Sequence, residues 1–418
     1  MPISDRPIWL FVSYGAGHVN ALLPVAKRVM QLGIARPIYL ALTGAAEVVR
    51  ASGVPMLGFR DFLADTDDRA RVKGQELADQ LQIPACDREE SVAYLGMSYV
   101  DLENRLGQID AANAFGRFGR QAFLPLGVMR RILEETQPAL VVATNSPRAE
   151  QAAIESARAL GVPNVCLVDL LGIWERDRLA QPGYADALCV LNDGVRDFLV
   201  ATGRPLADVF ATGNPAFDTV LDATFIAQGA QYRAQAGWDS LHVLLYASSP
   251  EPFNSPGIDG FGDPTFPRRI EQALIDLVRS DPRLALWVRR HPTEPLAAEL
   301  LNNPHPRIRL STIDMPLHAS LHACDEVVVT VSTVGVEAHL AGKVVTQVRG
   351  SILDHLSPYY SLGLADRELS IDQLSVLGSA SAQQKTLVPT YGNAIERVVD
   401  VLRSVAQPTH GRQRDPIR

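Results

Sequence analysis

The sequence predicts an α/β protein made of two Rossmann-like, doubly wound domains. Three observations carry that expectation. Short apolar runs such as Ile8–Val12 (IWLFV), Ala139–Ala143 (ALVVA) and His242–Tyr246 (HVLLY) alternate with helix-prone stretches, as parallel strands buried on both faces do. The alternation lapses after Val220 and restarts at His242, across a polar, Ala/Gln-rich stretch read as a linker, 223–240. Finally, 418 residues exceed what one hydrophobic core organises, so two domains are expected, 1–222 and 241–406, followed by a disordered tail, 407–418.

Bulk composition narrows the function. With 47% hydrophobic and 21% charged residues the chain reads as a soluble globular protein. A net charge of -8 argues against a broad nucleic-acid surface, which needs dense Lys/Arg patches. The four cysteines, Cys86, Cys166, Cys189 and Cys324, form no C-x-x-C pair, so neither a zinc site nor a disulfide framework is expected. The opening residues lack a signal-peptide pattern and no apolar run is long enough to span a bilayer. Cytoplasm is therefore expected, with room for peripheral contact at the inner face of a membrane.

In chain order, strand Ile8–Val12 runs into Ser13-Tyr14-Gly15-Ala16-Gly17-His18 and a helix from Ala21 to Gln31. Gly15 and Gly17 let the backbone turn tightly and a ligand come close, and His18 lies where the helix begins. A second strand, Pro37–Leu42, and a helix, Ala45–Ser52, follow. From about 61 to 120 the chain turns charged and helix-prone, which reads as a helical insertion with solvated faces. The strand pattern resumes with Ala139–Ala143 before Asn145, Asn164–Val168 before Asp169, Ala187–Leu191, and a strand ending at Thr212-Gly213-Asn214-Pro215. Ligands of doubly wound sheets sit at the carboxyl ends of strands, where Gly15, His18, Asn145, Asp169 and Asn214 fall.

The second half repeats the plan. His242–Tyr246 ends in Ser248 and Ser249, Leu284–Arg289 runs into Arg290-His291-Pro292, and Ile308–Leu310 is short. Next comes Glu326–Val331, then Ser332-Thr333-Val334-Gly335 and a helix carrying Glu337 and ending near Gly342. Hydroxyls and backbone N–H groups at a helix N-terminus suit a phosphate, although Ser332 capping an ordinary βα unit would read the same way. Val344–Val348 is the next strand, and Ala394–Ala406 is an amphipathic helix assigned to this domain.

These motifs resemble the GT-B superfamily of two-domain glycosyltransferases and their relatives over most of the chain, the 61–120 stretch least. GAGH (15–18) is similar to the glycine-rich loop of peptidoglycan-type N-acetylglucosaminyltransferases. TGNPAFD (212–218) is similar to the end of the first domain in nucleotide-sugar 2-epimerases. RRHP (289–292) with Ser332-Thr333 resembles the motifs of capsule-type sialyl- and Kdo-transferases. Thr333 to Gly342 shows the Glu-to-Gly spacing at which the superfamily places a ribose-binding glutamate.

The resemblance implies a nucleotide-sugar donor of UDP or CMP type and an acceptor hydroxyl of unknown identity. It implies no cofactor and no metal, since no Asp-x-Asp follows a strand. In this reading Ser248 and Ser249 help bind the donor nucleotide, Ser332 and Thr333 with the N–H groups of Val334 and Gly335 hold the donor phosphates, and Glu337 accepts from ribose hydroxyls. Arg289 or Arg290, with His291, places positive charge beside the leaving phosphate. Gly15, Gly17, Asn145 and Asn214 shape the acceptor side, and His18, or second Asp169, is the general base of an inverting displacement. The expected activity is glycosyl transfer in polysaccharide, glycolipid or metabolite biosynthesis. One alternative is a 2-epimerase or hydrolase of the same donors, against which stands Ser248-Ser249-Pro250-Glu251 where epimerases carry His-Arg-Glu-Asn. A non-catalytic binding protein of the same shape is the other.

Overall fold

The computed structural model describes residues 6–15, 17–81, 88–255, 257–295, 300, 304–311, 314–378 and 392–407. The expected disordered tail beyond Gln407, Ala16 of GAGH and Cys86 lie outside them. The chain divides into two units, one formed by 1–216 with 393–418 and the other by 217–392.

The first unit holds a seven-stranded sheet ordered β3-β2-β1-β4-β5-β6-β7. Its strands are β1 (Ile8–Ser13), β2 (Arg36–Ala41), β3 (Met56–Leu57), β4 (Leu140–Thr144), β5 (Asn164–Leu167), β6 (Ala187–Val190) and β7 (Val209–Ala211). Every pairing is parallel. All five residues of β4 are buried, because helices cover both faces of a parallel sheet. β1 and β4 are neighbours although β2 and β3 intervene in sequence. That reversal of strand order is the topological switch point, where the carboxyl ends of two strands diverge and leave a crevice.

The charged stretch after β3 contains helices Asp68–Gln80, Arg88–Leu106 and Gln108–Phe118. The first two pack backbone to backbone: a Cβ on Gly96 would stand 1.7 Å from the Ala70 carbonyl oxygen, so only glycine fits.

The second unit holds a six-stranded sheet ordered β10-β9-β8-β11-β12-β13. Its strands are β8 (His242–Ala247), β9 (Leu284–Arg289), β10 (Ile308–Leu310), β11 (Glu326–Val329), β12 (Val344–Val348) and β13 (Arg367–Leu369), all parallel. Its switch point lies between β8 and β11. Leu244, Tyr246, Leu286, Val288 and Val328 from the sheet pack with Ile270, Leu274 and Val278 of helix Phe266–Ser280.

Two boundaries differ from the sequence expectation. Residues 223–240 are not a bare linker: Ala223–Ala236 is a helix, capped by the Asp222 carboxylate accepting from the Thr224 N–H at 2.8 Å, and it packs on helix Leu317–His322 in the second unit. The helix Ala394–Ala406 belongs to the first unit, not the second. Its apolar stripe, Val398, Val399, Val401 and Leu402, enters the first core against helix Gly17–Leu32 and β4 to β6. Arg28 Nε donates to Glu396 at 2.6 Å and Arg397 Nε to the Thr212 carbonyl at 2.7 Å, which fixes the docking. Chain order cannot reveal which of two cores an amphipathic stripe enters.

Candidate functional site

In the first unit the β1 turn delivers His18 to the first turn of helix Gly17–Leu32. Gly17 lets the two approach closely: a Cβ would stand 3.2 Å from Asp169 Oδ2, a tight contact that would press on the carboxylate. His18 Nδ1 lies 3.9 Å from that same oxygen. Asp169, just past β5, is held by its neighbours. Its N–H donates to Asn145 Oδ1 at 2.6 Å and its Oδ1 accepts from Asn214 Nδ2 at 3.3 Å. Asn145 in turn donates to Glu175 at 3.1 Å. His18, Asp169, Asn145 and Asn214 thus form one cluster at the carboxyl ends of β1, β4, β5 and β7.

Burial dominates its electrostatics. It holds His18 below its ordinary pKa, with the nearby Asp169 opposing and Arg148 reinforcing. It raises the Asp169 carboxyl, against the pull of His18 and the Asn214 amide. A neutral imidazole beside a carboxylate is a competent proton acceptor.

The surroundings include residues that sequence reasoning missed. Glu150, fully buried at the start of helix Ala149–Ala159, accepts the Tyr14 N–H at 2.7 Å, and burial pushes its carboxyl up to about 8. The Tyr14 and Tyr94 hydroxyls are hydrogen-bonded at 2.5 Å, tying the β1 turn to the helical insertion. Beyond β2 and β3 a crevice of about 570 Å³ is lined by Thr43, Glu47, Arg50, Arg60 and Glu90 among others. A short polar residue after a strand signals a site, whereas nothing in sequence marks a buried glutamate inside a helix.

In the second unit the expected donor residues gather at the ends of β8, β9 and β11, but several are already engaged. Ser248 Oγ donates to Glu294 at 3.0 Å and Arg268 donates to both, at 2.9 and 2.7 Å; Ser249 follows, half-buried. Glu294 also accepts the His291 N–H at 2.9 Å, holding the RRHP turn, while the His291 ring is exposed and bonded to Thr293. Arg290 is committed to buried Glu271 by bonds of 2.6 and 3.1 Å, and Arg268 binds the same carboxylate. Arg289 differs. Its Nη1 donates only to neutral acceptors, Ser311 Oγ (2.9 Å), the Met315 carbonyl (2.8 Å) and Ser320 Oγ (3.2 Å), so no carboxylate contact cancels its charge among the described residues.

The turn after β11 also differs from expectation. The Val334 N–H donates to Ser332 Oγ at 3.3 Å and the Gly335 N–H to the Ser332 carbonyl at 3.0 Å, so these donors are not vacant. Gly335 is a packing residue: a Cβ would stand 2.8 Å from Val329 Cγ2. Thr333 is exposed as N-cap of the short helix Val334–Leu340, without a side-chain cap bond. Glu337 is buried on that helix, and its Oε2 accepts from His318 Nε2 at 2.9 Å. His318, unmarked in sequence, meets Phe225 edge-on with ring centroids 5.1 Å apart. Among the described residues no helix is long and apolar enough to cross a membrane.

No family model and no curated protein matches the sequence. Solved structures do match in fold. A UDP-GlcNAc 2-epimerase from Methanocaldococcus jannaschii is 12% identical, with a TM-score of 0.57 over 95% of this chain and 99% of that one. One from Neisseria meningitidis, bound to UDP-GlcNAc, is 13% identical with a TM-score of 0.52 over 95% and 100%. MurG of Acinetobacter baumannii is 12% identical with a TM-score of 0.53 over 96% and 100%. At such identities the likeness is one of fold: two Rossmann-like domains of the GT-B type.

Proposed function

From that fold we propose that the protein is a glycosyltransferase, moving a sugar from a nucleotide-activated donor to an acceptor hydroxyl. The observation that carries the reading is His18: a half-buried imidazole, 3.9 Å from Asp169 and held neutral by burial, at the switch point of the first sheet. It would take the acceptor proton, Asp169 would steady the imidazolium that forms, and the anomeric carbon would be attacked as the nucleotide leaves. The donor is assigned to the second domain, where Glu337 would accept from ribose hydroxyls. Arg289, whose contacts are neutral, would meet the leaving phosphate in place of a metal ion. A UDP-type donor gains support from the nucleotide-sugar ligand of a fold relative. Transfer is preferred to epimerisation because Ser248-Ser249-Pro250-Glu251 occupies the place of the epimerase signature.

A panel of UDP-, CMP-, GDP- and dTDP-sugars tests this by thermal unfolding. A donor at a hundred times its Kd should stabilise the fold by about 2.7 kcal/mol. Donor hydrolysis or transfer should follow, and be lost in His18→Ala. If no donor stabilises the protein the nucleotide-sugar reading fails. Hydrolysis unaltered in His18→Ala removes His18 as the base, and a 2-epimerised donor formed without acceptor replaces transfer by epimerisation.

A further inference from the structure

Arg148 makes no contact in the chemistry described so far, yet three observations single it out. It ends the turn that links β4 to helix Ala149–Ala159, at the switch point of the first sheet, and its backbone sits at φ 79°, ψ −115°. That is the mirror image of an extended conformation, which glycine adopts freely and an arginine adopts only against strain. Its guanidinium lies over the Tyr14 ring, 4.6 Å from the centroid, on the turn that carries His18. Its carbonyl accepts the Ala152 N–H at 2.8 Å, but among the described residues its side chain has no hydrogen-bond or ion-pair partner, and its Nε is enclosed without an acceptor. Glu150, two residues away, does not neutralise it by contact: one carboxylate oxygen is given to the Tyr14 N–H and the other is unpartnered. Arg148 acts electrostatically on His18, lowering its pKa.

We propose that Arg148 binds an anionic group, a phosphate or a carboxylate, on the acceptor that presents its hydroxyl to His18. The assignment to an acceptor rests on the transferase reading, which gives the donor phosphates to the second domain. The chemistry follows from the side chain. A planar guanidinium matches either oxyanion in a two-bond fork, and stacking on Tyr14 orders that fork before the ligand arrives. Backbone strain under an arginine whose side chain hydrogen-bonds to nothing in the fold is what a prepaid binding residue would show.

The test uses the full chain labelled with ¹³C-histidine, with the His18 signal identified by its loss in His18→Gln. Inorganic phosphate, glucuronate and uncharged glucose are titrated in turn. Phosphate or glucuronate should move the His18 signal saturably, and whichever binds more tightly names the anion. Glucose should not move it. Arg148→Gln should weaken that binding at least ten-fold and Arg148→Lys should retain part of it. Arg148→Gly relieves the backbone, so it should melt above Arg148→Ala while binding no anion, and it supplies folded protein if other variants do not. Silence of His18 to both anions, equal binding of glucose, or unaltered binding in Arg148→Gln and Arg148→Gly would overturn the proposal. Anion binding without any donor turnover would retire the transferase reading and leave the Arg148 site standing. Turnover indifferent to Arg148 would do the reverse.

Discussion

Replacing Glu150 by glutamine should make the first unit progressively more stable than the wild type as pH rises. The carboxyl is fully buried, one oxygen accepts the Tyr14 N–H at 2.7 Å, and burial moves its pKa from an ordinary 4.5 to about 8. Because the folded pKa is raised, the folded state keeps a proton that the unfolded chain has released. Its stability therefore falls as pH climbs from about 4.5 to about 8 and levels off above. Each pH unit in that window costs about 1.4 kcal/mol, so the loss by pH 9 is roughly 4–5 kcal/mol, a large share of the stability of a typical domain. Glutamine keeps a carbonyl oxygen for the Tyr14 N–H and does not titrate. The variant-minus-wild-type difference should thus be near zero at about pH 4.5 and approach about 4 kcal/mol at pH 9. Urea unfolding at several pH values, with hydrogen exchange read in β1 and β4, measures it, provided the urea dependence is alike in both proteins. A difference that stays constant with pH, or that shrinks as pH rises, would refute the reasoning.

Two further outcomes follow from the packing and from the second site. Leu402→Ala removes a fully buried side chain from the first core and should cost that unit about 3 kcal/mol; hydrogen exchange should rise in β4 to β6 and not in β8 or β11, and the opposite pattern would return the helix to the second unit. His318→Ala frees the Glu337 carboxylate and should raise the Kd of whichever nucleotide-sugar binds about ten-fold, whereas His318→Gln, still able to donate, should stay within about three-fold. Isothermal titration decides this, and equal affinity in His318→Ala would show that the pair does not serve the donor.

Most strands were legible because a parallel strand covered on both faces must be apolar throughout, and β9, β10 and β12 match their expected limits. β3 and β13, short strands at the sheet edges, contain no fully buried residue, so no apolar run marks them. The cluster of His18, Asn145, Asp169 and Asn214 was legible for a related reason: polar residues directly after apolar strands mark strand ends, and the topology brings those ends together. What sequence could not carry was which polar groups satisfy one another. Arg289 and Arg290 are adjacent and alike in the chain, yet one is bound to Glu271, nineteen residues away, and the other to hydroxyls and a carbonyl. Likewise Ser332 uses its hydroxyl and carbonyl on the N–H groups that a phosphate would have needed. Nothing in the sequence marks Arg148, which its backbone angles and unbonded side chain single out.

The return of residues 394–406 to the first core has a consequence for how the protein is made. A ribosome delivers the chain from its amino end, and domains usually close in the order in which they emerge. Here that order is inverted. All thirteen parallel strands among the described residues, and the whole of 217–392, must be synthesised before Val398 and Leu402 exist to cover β4, β5 and β6. The half begun first is finished last, and from the completion of β6 at Val190 until Val398 is made its sheet carries an apolar strip that its own helix has yet to cover.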